Sequence, residues 1–178
     1  MPGDLLHCDF GISYLRLNTD CQELAYVLKP EEIEAPDFLR AAFKTGNQVQ
    51  DYLTDQMIVG RVGNDILKDA LQQAKAAGLR PAIYTHPLGL YGHSAGTTIG
   101  MWDAQEGVDK ADGNAYPLHP NTVYAIELNN TIYIPEWKRD IRIMFEEAGF
   151  VGEQGFRYVN GRQKELLLIP RPKPHQGN

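Results

Sequence analysis

Asp9 and Asp20 are carboxylates set inside strand-like apolar runs, residues 5–12 and 15–28, and a charge in such a place needs something to offset its burial. Folded back as an antiparallel hairpin with Asp9 opposite Asp20, the two-residue alternation points both carboxylates to one face and Cys8 and Cys21 to the other. Like charges so opposed repel, and a cation between them is the natural remedy. The ordinary alternative is a pair of solvated aspartates on a surface hairpin.

Two further segments hold residues able to join such a site. In residues 84–96, His86 and His93 lie seven apart with Gly89, Gly92 and Gly96 interleaved, which describes a loop whose backbone approaches a ligand while two imidazoles converge on it. In residues 121–129, Glu127 interrupts a β-branched and apolar run, and a glutamate buried in a strand needs a partner. Glu153 is a fourth candidate, less distinctive because Glu146 and Glu147 lie close by. Each of these alone also fits a surface carboxylate or a hydrogen-bonded structural histidine.

The elements that must position them follow from periodicity. After the hairpin, Pro36 can open a helix carrying Leu39, Ala42, Phe43, Val49 and Leu53, running to about residue 56. Asn64 can cap a second helix with Ile66, Leu67, Ala70, Leu71 and Ala74 on its apolar face and Gly78 at its end. From Pro81 onward the pattern becomes one of short strands, 82–85, 122–128, 131–134, 141–145, 156–159 and 165–169, with a long loop at 102–121. The fold class expected is α+β, a curved and mostly antiparallel sheet with helices on one side. Residues 1–169 form one domain, and the Pro-rich tail 170–178 is expected to be disordered.

Bulk properties narrow the partners. The chain has 178 residues, a formal charge of -6 and no cluster of Lys and Arg, which argues against nucleic acid or an anionic membrane. No apolar run approaches a membrane span and the first residues lack the pattern of a signal peptide, so a cytoplasmic location is expected. Two cysteines make neither a disulfide scaffold nor a zinc pattern. In the register that pairs the aspartates they would also be opposite each other, and reduced thiols packed behind the site are the preferred reading.

Taken in chain order, Asp9, Asp20, His86, Glu127 and Glu153 resemble the ligand set of the pita-bread metallopeptidases, the family of Xaa-Pro aminopeptidases, prolidases, methionine aminopeptidases and creatinases. The first two aspartates of that family are eleven apart in a hairpin, as here. Its next element is a His-x-[Ile/Leu]-Gly motif with a second histidine seven positions on, matched by His86-Pro87-Leu88-Gly89 and His93. An alternative alignment places the ligand at His93, but leaves Gly100 where the second histidine belongs, and His86 is preferred. Glu127 matches the glutamate of an apolar strand, although Leu128 stands where Pro is usual. Glu153 matches the last glutamate in order and rough position.

The resemblance implies a pita-bread fold over nearly the whole chain and a metal-dependent hydrolase, most simply a peptidase of the Xaa-Pro aminopeptidase or dipeptidase type using a dinuclear metal-bridged hydroxide. Asp9 would chelate one ion, His86 and Glu127 the other, and Asp20 and Glu153 would bridge them. Glu127 would also shuttle a proton, and His93 would bond the substrate carbonyl or the developing oxyanion. Two divalent ions fit such a hard ligand set, with Mn2+ favoured by ligand type and Zn2+, Co2+ or Fe2+ by affinity order. The partner expected is a short peptide.

Departures from the family pattern mark the other readings. Ser94 stands where an acidic residue commonly follows the second histidine, and Val151 where a basic residue often precedes the last glutamate. Family catalytic domains carry substantial sequence before the first aspartate, so the chain is expected to be the C-terminal part of such a domain, with one wall of the cleft lacking. Apolar surface left open there would be covered by the preceding segment or by a second subunit, which puts a homodimer among the expected states. A non-catalytic binding module or inactive fragment is the alternative function, and a creatinase-like amide hydrolase the second alternative.

Overall fold

The structure is a computed structural model that describes residues 1–101, 105 and 112–170. The tail after Pro170 and much of the long loop expected at 102–121 lie outside the described residues.

The chain opens with β1 (Leu5–Phe10), a small hairpin of β2 (Ser13–Tyr14) and β3 (Leu17–Asn18), and β4 (Cys21–Val27). Helices α1 (Asp37–Thr54) and α2 (Gly63–Ala76) follow, then β5 (Pro81–Ile83) and β6 (His86–Leu88). Two long strands, β7 (Thr122–Ile134) and β8 (Arg139–Gly152), form the centre of the sheet, and β9 (Gly155–Tyr158) and β10 (Leu167–Ile169) complete it. The main path is β1-β4-β8-β7-β5, with β6 on β7, β9 on β8 and β10 on β4. Only the β10 pairing is parallel among the described strands.

This is an α+β fold with both helices on one face of a mostly antiparallel sheet. Helix α1 lies on β7 and β8, and α2 on α1 and β5. The apolar stripe of α1 is buried as its periodicity requires, and Phe43 meets Phe145 of β8 edge to face at 4.9 Å. Gly46 is the point of closest approach, because a Cβ there would run into the Phe145 ring and Ile143. Helix propensity yields at that one residue to helix-on-sheet packing.

Local details differ from the expectations in ways that long-range pairing explains. Residues 122–128 and 131–134 are one strand, since β8 pairs with it continuously from Ile134↔Arg139 to Thr122↔Val151. Asn64 is the second residue of α2 rather than its cap, the N-cap position being Val62. Gly78 does close that helix, at φ +78 with its N–H on the Lys75 carbonyl.

The largest correction concerns the first hairpin. Its register sets Asp9 against Gln22 and Cys8 against Glu23, so Asp9 is not opposite Asp20 and Cys8 is not opposite Cys21. The extra residues are taken up by the β2–β3 excursion. A shift of two residues is one full pleat, and for that reason both aspartates still point to the same face. The cysteines are both free thiols, and burial pushes Cys21 up to about 11, with Glu146 and Glu23 adding to the effect.

Candidate metal centre

One row of side chains crosses the sheet on the face away from the helices. Asp9 of β1 is opposite Gln22 of β4, Gln22 is opposite Glu146 of β8, and Glu146 is opposite Glu127 of β7. His86 of β6 is opposite Ala125, two residues from Glu127 and so on the same face. Asp20 lies two residues before Gln22 and joins the row by the same parity. Ile126, Leu128 and Phe145 alternate with these residues and fill the core beneath the helices.

The row closes into a cluster. Ligand atoms of His86, Glu127 and Glu146 lie within 4.8 Å of one another, as do those of Asp9, Asp20 and Glu146, and those of Asp20, His86 and His93. Glu146 and His86 are almost fully buried. His86 Nε2 is 3.7 Å from Glu127 Oε2 and 3.6 Å from Glu146 Oε1, ion-pair distances too long for hydrogen bonds. That nitrogen is buried without a hydrogen-bond partner. The ring's other nitrogen, Nδ1, donates to the Pro87 carbonyl at 3.2 Å, so Nε2 is the nitrogen that faces the carboxylates. A buried imidazole nitrogen without a hydrogen bond, set among acids, is a place where a divalent cation would take over from the Nε2 proton, so the residues present fit such an ion.

Electrostatics agree with that fit. Burial pushes the Asp20 carboxyl above the usual range; the nearby histidines pull it down, while Asp9 and Glu127 add to the rise. Burial likewise raises Glu146, helped by the charges of Glu127 and Asp20. For His86, burial lowers the imidazole but Glu127 and Glu146 outweigh it and lift it to about 9. Negative charge accumulates at one point faster than a single imidazolium relieves it.

Packing ties the pieces together. The hairpin tip is bonded to the histidine loop, since Asn18 donates to the Gly89 carbonyl from its backbone N–H at 2.8 Å and from Nδ2 at 3.1 Å. The Glu127 carbonyl accepts from the backbone N–H of Tyr84 and from the Thr85 hydroxyl. His93 is exposed and stacks on His86, ring centroids 3.9 Å apart, with its Nδ1 at 3.2 Å from the Tyr84 hydroxyl.

Of the residues singled out in the sequence, Asp9, Asp20, His86, His93 and Glu127 come together. Glu153 does not. It sits exposed in the turn between β8 and β9, seven residues beyond Glu146 on an extended path, roughly 20 Å away. Glu146 lies in the cluster instead, opposite Glu127 and near Asp9, Asp20 and His86. The signal for Glu146 was available: in the run 141–149 it and Glu147 are the only acids in an apolar strand. Gln22 also joins the cluster, and a glutamine in an apolar run gives little warning of its partners.

The fold has solved relatives. The Xaa-Pro aminopeptidase of Thermotoga maritima is similar over 94% of this chain and 42% of its own, with 22% identity and a TM-score of 0.69. A dipeptidase of Pyrococcus horikoshii is similar over 94% and 42%, with 20% identity and a TM-score of 0.66. Methionine aminopeptidase of Rickettsia prowazekii is similar over 88% and 64%, with 14% identity and a TM-score of 0.64. The shared architecture is the pita-bread fold, and the chain spans about two fifths of the length of the first two. No curated protein sequence matches the chain. A family model, Metallopeptidase family M24, matches residues 1–153.

Proposed function

The chain belongs to metallopeptidase family M24, and from that membership we propose a peptidase acting on short peptides at an N-terminal Xaa-Pro bond. The observation that carries the reading is the buried, unpartnered His86 Nε2 facing Glu127 and Glu146 beside the Asp9 and Asp20 carboxylates. Asp9, Asp20, His86, Glu127 and Glu146 would hold two divalent ions, Mn2+ favoured by the hard oxygen ligands. Such ions supply water acidified toward neutral pH and a polarised scissile carbonyl.

The chain's own residues do the rest. The Glu127 side chain, 22% exposed against 2% for Glu146, is the carboxylate that solvent and substrate reach. Its oxygens can take a proton from the attacking water and return it to the leaving nitrogen. His93 has Nδ1 engaged by the Tyr84 hydroxyl; with that hydroxyl donating, the ring carries its proton on Nε2, where it can be donated in a hydrogen bond to the substrate carbonyl as negative charge grows on it. The stacking of His93 on His86 sets that donor beside the cation-binding nitrogen.

Elemental analysis after loading with Mn2+, joined to hydrolysis of a panel of Xaa-Pro and Xaa-Ala dipeptides, tests the reading. Two equivalents of metal and preference for Xaa-Pro are expected. Absence of bound metal would leave the fold as a binding module, and metal with cleavage of a non-peptide amide alone would move the assignment to that chemistry.

A further inference from the structure

Gln22 sits at the middle of the carboxylate row and makes every hydrogen bond its amide nitrogen can make. Its Nε2 donates to Glu127 Oε1 at 3.2 Å and to Glu146 Oε2 at 3.0 Å, and its Oε1 is 2.8 Å from His7 Nε2. Only 1% of the residue is exposed. The amide orientation is decided by chemistry: ionised carboxylates only accept, so the NH2 group must face them, and His7 must then donate from Nε2.

The consequence lies in which oxygens remain. Glu127 and Glu146 are directly opposed like charges across two strands, an arrangement that repels unless something stands between them. Gln22 takes one oxygen from each, Oε1 of Glu127 and Oε2 of Glu146. The remaining oxygens, Oε2 of Glu127 and Oε1 of Glu146, are the two that face His86 Nε2. The amide therefore spans both acids and turns one oxygen of each toward the imidazole. Other buried glutamines make different bonds: Gln163 bonds both backbone polar groups of Leu24, and Gln50 bonds the Asn47 amide and the Tyr158 hydroxyl, neither of them spanning two acids.

We propose that Gln22, braced by His7, is a positioning residue that orients Glu127 and Glu146 for cation binding. It touches neither substrate nor reacting atoms and acts through the two glutamates. The inference rests on the metal reading above and adds to it a residue outside the ligand set.

The test compares Mn2+ affinity by calorimetry, and the visible spectrum of the Co2+-loaded protein, in the full chain and its variants. Gln22→Met keeps the volume and removes the amide; it should weaken Mn2+ binding by about 10-fold or more and alter the Co2+ bands. Gln50→Met is the control, since Gln50 is equally buried but bonds Asn47 and Tyr158; it should leave affinity and spectrum unchanged whatever it does to stability. Should Gln22→Met fail to fold, the exposed His7→Phe should still weaken binding about two- to fivefold by freeing one end of the amide. Affinity within twofold of the parent, in whichever of these variants folds, overturns the role of Gln22. A parent chain that binds neither Mn2+ nor Co2+ overturns the metal reading and this inference with it.

Discussion

Glu127 stands directly opposite Glu146 in the β7–β8 ladder, and each turns one oxygen to within 3.7 Å of the same buried His86 nitrogen. Two opposed acids in the middle of a sheet are a stability cost. The arrangement makes sense as a site whose charge is completed by a cation, and it is why Glu146 rather than Glu153 stands in the proposed ligand set.

That reassignment separates two glutamates experimentally. Glu146→Gln should lose more than the roughly 10–100-fold in metal affinity that outer-shell changes produce, whereas Glu153→Gln should bind as the parent does. Inductively coupled plasma analysis of both variants, dialysed against the same free Mn2+, reads the difference. Equal loss in the two would restore Glu153 to the site.

His93 and the metal ligands should part company kinetically. With His93→Ala, metal content is expected to stay at the parent level while kcat falls about 100-fold or more, the scale of losing one positioned donor. Tyr84→Phe removes the hydroxyl behind it and should lower kcat less, with KM little changed. Loss of metal from the His93 variant would instead make that residue a ligand.

Gly46 offers a test of the packing that holds the sheet against α1. A methyl group there meets Phe145 and Ile143, and Gly46→Ala should destabilise by about 1–3 kcal/mol despite better helix propensity. Urea unfolding gives the answer, and an Ala variant more stable than the parent would show that the helix can retreat from the strand.

Glu147 predicts the pH dependence of the metal-free protein. Burial raises its carboxyl to about 7, with Glu23 adding to the rise against the Gln163 backbone N–H and Arg162. The folded state thus holds the proton more tightly than the unfolded chain, so this contribution is full below the unfolded value near 4.5 and is lost as pH rises through about 7. Glu147→Gln should shrink the fall in melting temperature between pH 5 and pH 8 by about 2–4 °C, on the order of 1 kcal/mol after allowing for partial solvation. Melting curves in chelator measure it, and an unchanged fall would show that Glu147 ionises without cost.

Sequence alone determined both helices, most of the strands and most of the residues that gather in the cluster. The apolar stripe from Leu39 to Leu53 follows from helical periodicity, and the face shared by Asp9 and Asp20 follows from strand alternation; both are local rules that need no partner. The His86 and His93 spacing was equally legible.

Tertiary structure decided the rest. The β1–β4 register is set by what the β2–β3 excursion absorbs, which leaves the parity of the aspartates intact but separates Cys8 from Cys21. His86 to Leu88, a loop by its Pro and Gly content, is a strand because β7 offers it an edge. The apolar run 141–149 marks Glu146 and Glu147 as unusual acids, but which glutamate joins the cluster depends on which one lands opposite Glu127 in a thirteen-pair ladder. Gln22 became visible only there, because a side chain that works by hydrogen-bonding two distant acids has no meaning until the sheet brings them together.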